Sequence, residues 1–207
     1  MCIRDSNRTG STGSASVDTV REINIEWISG SVTVEPGDVQ EITFSESGAA
    51  TDQYKMVWKQ SDDKLTIQFC KDSNVVGFGL HFGDGSKDLT ITVPRGWVCD
   101  SLELDTASTD LTVRDMIIRE VEIDSANGTA KFENCTISSL DVDTASGDVT
   151  FTGSLSELDF DAASASFTGV LENVPDKVKM DSMSGGLTLT LPEDCLLYTS
   201  PSPRDTR

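Results

Sequence analysis

From Leu102 onward, apolar and polar residues alternate in short bursts, and the bursts repeat. Leu102–Glu120 reads LELDTASTDLTVRDMIIRE, Val121–Ser139 VEIDSANGTAKFENCTISS, Leu140–Glu157 LDVDTASGDVTFTGSLSE and Leu158–Lys177 LDFDAASASFTGVLENVPDK. A truncated copy starts at Val178 (VKMDSMSGGLTLTLPED), and Ile23–Glu41 (INIEWISGSVTVEPGDVQE) is a separated first copy. Positions one and three are apolar: Leu102 and Leu104, Val121 and Ile123, Leu140 and Val142, Leu158 and Phe160, Val178 and Met180. Positions two and four are polar, so each unit opens with a half-buried strand. Position six is small or apolar (Ala107, Ala126, Ala145, Ala163, Met183), and its four alanines are expected to form one buried file with a spacing of roughly 5 Å. Ser or Asn follows at position seven, often with Gly next, as at Gly30, Gly128, Gly147 and Gly185. That is the chemistry of a turn that needs positive φ. A second alternating strand starts at position ten, as in Val32-Thr33-Val34 and Val149-Thr150-Phe151.

Two short strands in so small a unit cannot close a core of their own. Stacked at the strand spacing of about 4.8 Å, the units bury one continuous apolar column. The expected fold is therefore all-β: a β-solenoid or β-helix-like stack of repeats of about 19 residues. A β-sandwich built from successive hairpins is the alternative. The stack is preferred because like residues recur in like columns, which a sandwich does not require.

Residues 42–101 break the period. Ile42-Thr43-Phe44, Tyr54 to Trp58, Leu65 to Phe69 and Leu89 to Val93 read as strands of an antiparallel β-meander, inserted after the first repeat and capping the stack. Asn7 to Ser16 is rich in Gly, Ser and Thr, so residues 7–19 read as a flexible linker. The expected domain is 20–194, made of the first repeat (23–41), the meander (42–101) and the contiguous repeats (102–194). Residues 1–6 and 195–207 read differently. Back-translated, Met1 to Ser6 and Cys195 to Thr199 are opposite strands of one oligonucleotide resembling a sequencing adapter, so both are expected to be artefacts flanking a fragment.

The chain carries 35 acidic and 16 basic residues, a net charge of −19, which argues against nucleic acid and anionic lipid as partners. No run of 18 apolar residues exists, so no membrane insertion is expected of these residues. Outside the ends, Cys70, Cys99 and Cys135 lack C-x-x-C spacing and give neither a zinc site nor a disulfide framework. Cys135 shares a column with Met116 and is expected as a buried apolar filler.

Ile25-Glu26-Trp27-Ile28-Ser29-Gly30-Ser31-Val32-Thr33-Val34, Lys87 to Pro94 and the Asp-Thr-Ala-Ser-Gly-Asp of Asp143 to Asp148 together resemble a bacterial family. It is a family of β-strand-repeat domains of unknown function that carries an adhesin label. The resemblance covers Val20 to Asp194. It implies an envelope protein, extracytoplasmic at the cell surface or membrane-anchored, with an N-terminal membrane tether ahead of a Gly/Ser-rich linker. It brings no catalytic motif.

Chemistry read from the residues is sparse. A polysaccharide-active β-helix enzyme is the sharp alternative, but carboxylates are so abundant that any glycosidase-like pair is uninformative. The only His, His81, supports neither a triad nor a multi-His metal site. No catalytic residue is assigned and no cofactor is expected beyond weak Ca²⁺ binding. Phe78, Leu80 and Phe82, in the Gly-rich stretch 77–83, form a candidate apolar partner-binding loop. Trp27, Trp58 and Trp97 suit core and cap roles better than a sugar-stacking platform.

Position four holds Asp105, Asp124, Asp143, Asp161 and Asp181, with Glu26 in the first copy. Stacking lines these carboxylates up about 4.8 Å apart, at a repulsion of about 0.9 kcal/mol per neighbouring pair in water. The column is either a solvated face that resists edge-to-edge aggregation or a ladder for Ca²⁺. The functional expectation is a non-catalytic, extracytoplasmic module, an adhesin or envelope-interaction scaffold whose partner is an unknown protein or a cell-surface glycan. An envelope-stress sensor or regulator is a further alternative.

Overall fold

The computed structural model describes residues 7–48, 54–70 and 86–193. Their strands are β1 (Arg8–Thr9), β2 (Thr12–Ala15), β3 (Glu22–Gly37), β4 (Ile42–Ser47), β5 (Val57–Ser61), β6 (Lys64–Gln68), β7 (Lys87–Pro94), β8 (Val98–Arg114), β9 (Ile117–Asn127), β10 (Ala130–Ser146), β11 (Val149–Ser164), β12 (Phe167–Leu171), β13 (Lys177–Ser184) and β14 (Leu187–Thr190). From β3 onward the rungs stack in parallel, each copy in register with the next. Leu102 pairs with Val121, Val121 with Leu140, Leu140 with Leu158, and Leu158 with Val178. This is the β-solenoid-like stack, and the sandwich alternative is set aside: successive repeats meet in parallel, which hairpins cannot do.

The core is a set of files along the stack. Leu102, Val121, Leu140 and Leu158 form one; Leu104, Ile123, Val142 and Phe160 another; Leu111, Ala130, Val149 and Phe167 a third, all buried. Burying each large side chain contributes about 1.5–3 kcal/mol, and because a residue rests on the rungs above and below, the gain is collective. Cys135 sits buried beside Met116 as expected.

Each unit turns at two corners, and several of these corners have positive φ. The first is the Ser-Gly position. At Gly147 φ is 132°, and a Cβ there would lie 1.6 Å from the carbonyl oxygen of Gly128 on the preceding rung. Neither the conformation nor the space admits a side chain. The second corner holds Asp115 and Asn134, where φ is 51° and 55°; the next rung is one residue shorter there, and its Gly153, with φ of 126°, pairs with Cys135. Asn and Asp tolerate this region better than other residues with a Cβ.

Three expectations need correction. The position-six file is not buried: Ala107 is half-buried, and Ala126, Ala145 and Ala163 are exposed. Position five points inward instead, with Thr106 and Thr144 buried, because strict alternation runs on through position six before the chain bends. Residues 42–101 are also more than a meander. β6 and β7 both run parallel to β3, β6 along Glu22–Glu26 and β7 along Gly30–Gly37, so together they make one further rung split at its corner. Only β4 and β5 add antiparallel strands, on β7 and β6 respectively. The 7–19 linker, finally, contributes two short strands: β1 pairs with β5 and β2 with β4.

Candidate functional site

The position-four column forms. Glu26 pairs with Asp105, Asp105 with Asp124, Asp124 with Asp143, Asp143 with Asp161, and Asp161 with Asp181. Alternation sends positions four and six to the same outer side, with position five turned inward between them. The result is a groove of about 960 Å³ along the stack, lined by Glu26 and the five aspartates, the alanines at 126, 145 and 163, and the position-five residues Thr106, Ser125, Thr144 and Ala162. The floor is small and apolar; one bank is carboxylate.

Position five, which repeat reading left without a role, sets the groove's shape. Ser125 Oγ donates to the carbonyl of Asn127 (3.1 Å) and Thr144 Oγ1 to that of Ser146 (3.2 Å). Thr106 donates instead to Thr109 Oγ1. Each hydroxyl ties the strand to the corner that follows it. The signal was present in the sequence as Thr or Ser at position five in most copies.

Two lysines bracket the carboxylates. At the first end Lys64 of β6 pairs with Glu103 at 2.6 Å, and that hydrogen bond holds its ammonium above the ordinary lysine range. At the other end Lys179 of β13 reaches Asp159 at 2.9 Å and Asp161 at 3.2 Å, and the bond to Asp159 above all raises its pKa. Among the described residues no basic side chain pairs with Asp124 or Asp143, in the middle. Burial pushes the Asp105 carboxyl up, helped by Asp124, Glu26 and Glu103. Asp141 and Glu122 in the neighbouring position-two column are raised in the same way, by desolvation first and adjacent carboxylates second. Asp105, Glu122 and Asp141 therefore hold their protons more tightly than isolated carboxylates do.

Among the described residues no three His, Cys, Asp or Glu side chains are grouped to hold a metal ion. Positions two and four together offer two carboxylates per rung in four copies, such as Glu122 and Asp124, whereas Ca²⁺ takes six to eight oxygen ligands around one point. The ladder Asp105, Asp124, Asp143, Asp161 and Asp181 thus forms as a charged bank without a chelating cluster. The loop Phe78, Leu80 and Phe82 lies outside the described residues, as does His81. Trp27 is buried; Trp58 and Trp97 are partly buried against the core. Cys99 is buried, which pushes its thiol up to about 12 and leaves it inert. No helix of the described residues is long and apolar enough to cross a membrane.

A buried ionic centre, unforeseen in the sequence, lies under the split rung. Lys87 is 1% exposed; its Nζ donates to Glu46 Oε2, to the carbonyl of Tyr54 (2.8 Å) and to the carbonyl of Phe69. It also stands 4.0 Å from the Phe69 ring centroid and 4.8 Å from that of Trp27. Desolvation lowers its pKa. Trp27 Nε1 donates to the Lys87 carbonyl at 2.9 Å, and Glu46 Oε1 accepts from the Met56 amide at 3.0 Å. Every polar group of the pair that is named here is satisfied, as burial demands.

Comparison with known proteins agrees with the fold. A cell adhesion protein candidate from Clostridium sporogenes ATCC 15579 superposes with a TM-score of 0.54 at 6% identity, over 91% of this chain and 100% of that one. An adhesin candidate from Bacteroides fragilis NCTC 9343 gives a TM-score of 0.44 at 12% identity, over 91% and 98%. No curated protein matches. The model of the Toastrack DUF4097 family, a domain of unknown function, matches residues 20–199, beginning at the expected domain start and ending five residues into the 195–207 segment. With nearly the whole stack inside that match, the chain belongs to the Toastrack DUF4097 family.

Proposed function

We propose that this chain is a non-catalytic, extracytoplasmic β-repeat module that presents its groove to a protein or glycan at the cell envelope, as an adhesin or interaction scaffold. The observation that carries this reading is the repetition of the groove itself. Rung after rung offers the same pair of features, a carboxylate on the bank and a small residue on the floor, spaced by about 4.8 Å. A surface built by repetition suits an extended ligand that makes the same contact many times, whereas a reaction centre needs one unlike combination of groups in one place. The adhesion label of the Clostridium sporogenes protein supports the same direction, and a membrane tether ahead of the 7–19 segment fits it.

The test compares the intact chain with an Asp124→Lys, Asp143→Lys variant, which reverses the unpaired middle of the bank. Both are measured for binding to isolated bacterial cell-wall polysaccharide and to intact cells, with chromatography of the polysaccharide afterwards. Saturable binding that falls at least tenfold in the variant, with the polysaccharide unchanged, is expected. Shortened polysaccharide would replace this reading with the enzyme. Equal binding by both chains would remove the groove from it.

A further inference from the structure

At one rung the carboxylate bank already holds a cation. Lys179 Nζ donates to Asp159 Oδ1 at 2.9 Å and to Asp161 Oδ2 at 3.2 Å, so positions two and four of a single rung grip one primary ammonium between them. The same acidic pair recurs as Glu103 with Asp105, Glu122 with Asp124 and Asp141 with Asp143. Towards the other end, Lys64 Nζ donates to Glu103 Oε2 at 2.6 Å. Between these two lysines, Asp105, Asp124 and Asp143 form no ion pair among the described residues. All three border the groove of about 960 Å³, beside the small side chains of Ala126, Ala145 and Ala163. The chain's own ammonium groups thus show the kind of group that the repeated pair accepts.

We propose that the groove takes a linear polysaccharide of amino sugars whose amino groups are free and protonated. This rests on the groove being the surface presented at the envelope, and it names the chemistry of the partner there. Charge complementarity selects a polycation, because four successive rungs carry two carboxylates each. Period then selects the glycan. A linear hexosamine chain advances by about 5 Å per residue, close to the rung spacing of about 4.8 Å. In a β-1,4 chain successive residues face opposite ways, so alternate ammonium groups meet the bank about 10 Å apart. That is two rungs, the step from Asp105 to Asp143. The residue between them turns hydroxyls to Asp124, whose carboxylate accepts their hydrogen bonds. Same-face side chains of an extended peptide recur at about 6.7 Å, so lysines along a strand fall out of step with the rungs. The alanines leave the groove open to pyranose rings where larger side chains would fill it.

The intact chain is titrated calorimetrically at about pH 6 and physiological salt, where long-range attraction is screened. Three probes are used: the β-1,4 tetramer of glucosamine, its fully N-acetylated counterpart, and tetralysine. Thermal melts confirm that every variant folds. The glucosamine tetramer is expected to bind saturably, and N-acetylation, which keeps the chain and removes its charge, should weaken binding by about twentyfold or more. Tetralysine, at equal charge, should bind about fivefold more weakly. Lys179→Gln frees the Asp159 and Asp161 pair and should tighten binding of the glucosamine tetramer about threefold. Lys131→Gln removes the same charge from a lysine that pairs with Glu133 outside the groove, and should change it little. Equal gains from the two variants would reduce the effect to net charge and overturn the proposal. Equal binding of the free and acetylated tetramers would do the same, and tetralysine binding the tighter would make the occupant a lysine-bearing protein instead. If neither sugar tetramer binds while attachment to cells still depends on Asp124 and Asp143, the amino-sugar chemistry falls and the scaffold reading stands.

Discussion

The first copy, β3, and the last described rung, β13 with β14, are built to the same pattern and behave in opposite ways. At the N-terminal end, β3 is backed by β6 and β7, these by β5 and β4, and Ile23, Ile25 and Trp27 are at most 1% exposed. At the far end, Val178 holds the same column as Ile23 and is 38% exposed. A residue in this fold is thus buried by its neighbours rather than by its own column. Stability is approximately a sum of rung and rung–rung contributions, and a terminal rung lacks one of its interfaces. The N-terminal end compensates with strands of a different kind: short, antiparallel and partly polar, which blunts an otherwise open edge.

Substitution at equivalent residue types is the strongest way to break this contrast. Gly147→Ala, inside the stack, puts a Cβ into the Gly128 carbonyl at positive φ and is expected to cost more than about 4 kcal/mol. Gly186→Ala, in the last rung, meets nothing within 4 Å and should change stability by less than about 0.5 kcal/mol in urea titration. Equal effects would mean that the Gly147 corner yields to a Cβ as freely as the open space at Gly186 does. Under the cap, Lys87→Met strands the Glu46 carboxylate in an apolar site and should cost about 3–5 kcal/mol. Adding Glu46→Leu should recover most of that loss; a double variant as unstable as the single would show that the cap depends on the pair's hydrogen bonds.

The smallest effect belongs to the carboxylate bank. Asp105 has its pKa raised in the fold, so its contribution to stability is fully present below the unfolded pKa and is lost as the pH rises through the folded value. Solvent screens this half-exposed group, and the effect should be a few tenths of a kcal/mol. Asp105→Asn should therefore gain stability relative to wild type at neutral pH, and the gain should vanish in mild acid. A gain that is the same at both pH values would show that repulsion along the bank is not its source.

Much of this was legible because a stacked repeat writes its contacts into its columns: Leu102, Val121, Leu140 and Leu158 are alike because they touch. The acidic bank was legible for the same reason. The alanine file was misplaced by reading small size as burial, although the alternation of positions one to four already assigned position six to the outside. The split rung was hidden because its halves, Lys64–Gln68 and Lys87–Pro94, lie far apart in sequence and lose the period. Lys87 itself alternates with Leu89, Ile91 and Val93, which is the one sign that a charged residue points inward. The pairing of β1 and β2 had no side-chain signal, since edge strands of Arg, Thr, Gly and Ser are held by backbone hydrogen bonds.

The split rung also measures how far this chain can be lengthened. In β3 three residues, 27–29, carry the corner between the positions that pair with Gln68 and Lys87; in the split rung eighteen residues, 69–86, bridge the same two points. Closing the longer span costs only about 1.6 kcal/mol more on the logarithmic loop-closure scale, no more than the burial of one or two core side chains recovers. Corners are therefore ports in the stack, where foreign segments can be spliced in while the register on either side stays fixed. The equivalent corner at Ala145-Ser146, on the rung that carries Asp143 in the acidic bank's unpaired middle, is the natural place to graft a recognition peptide.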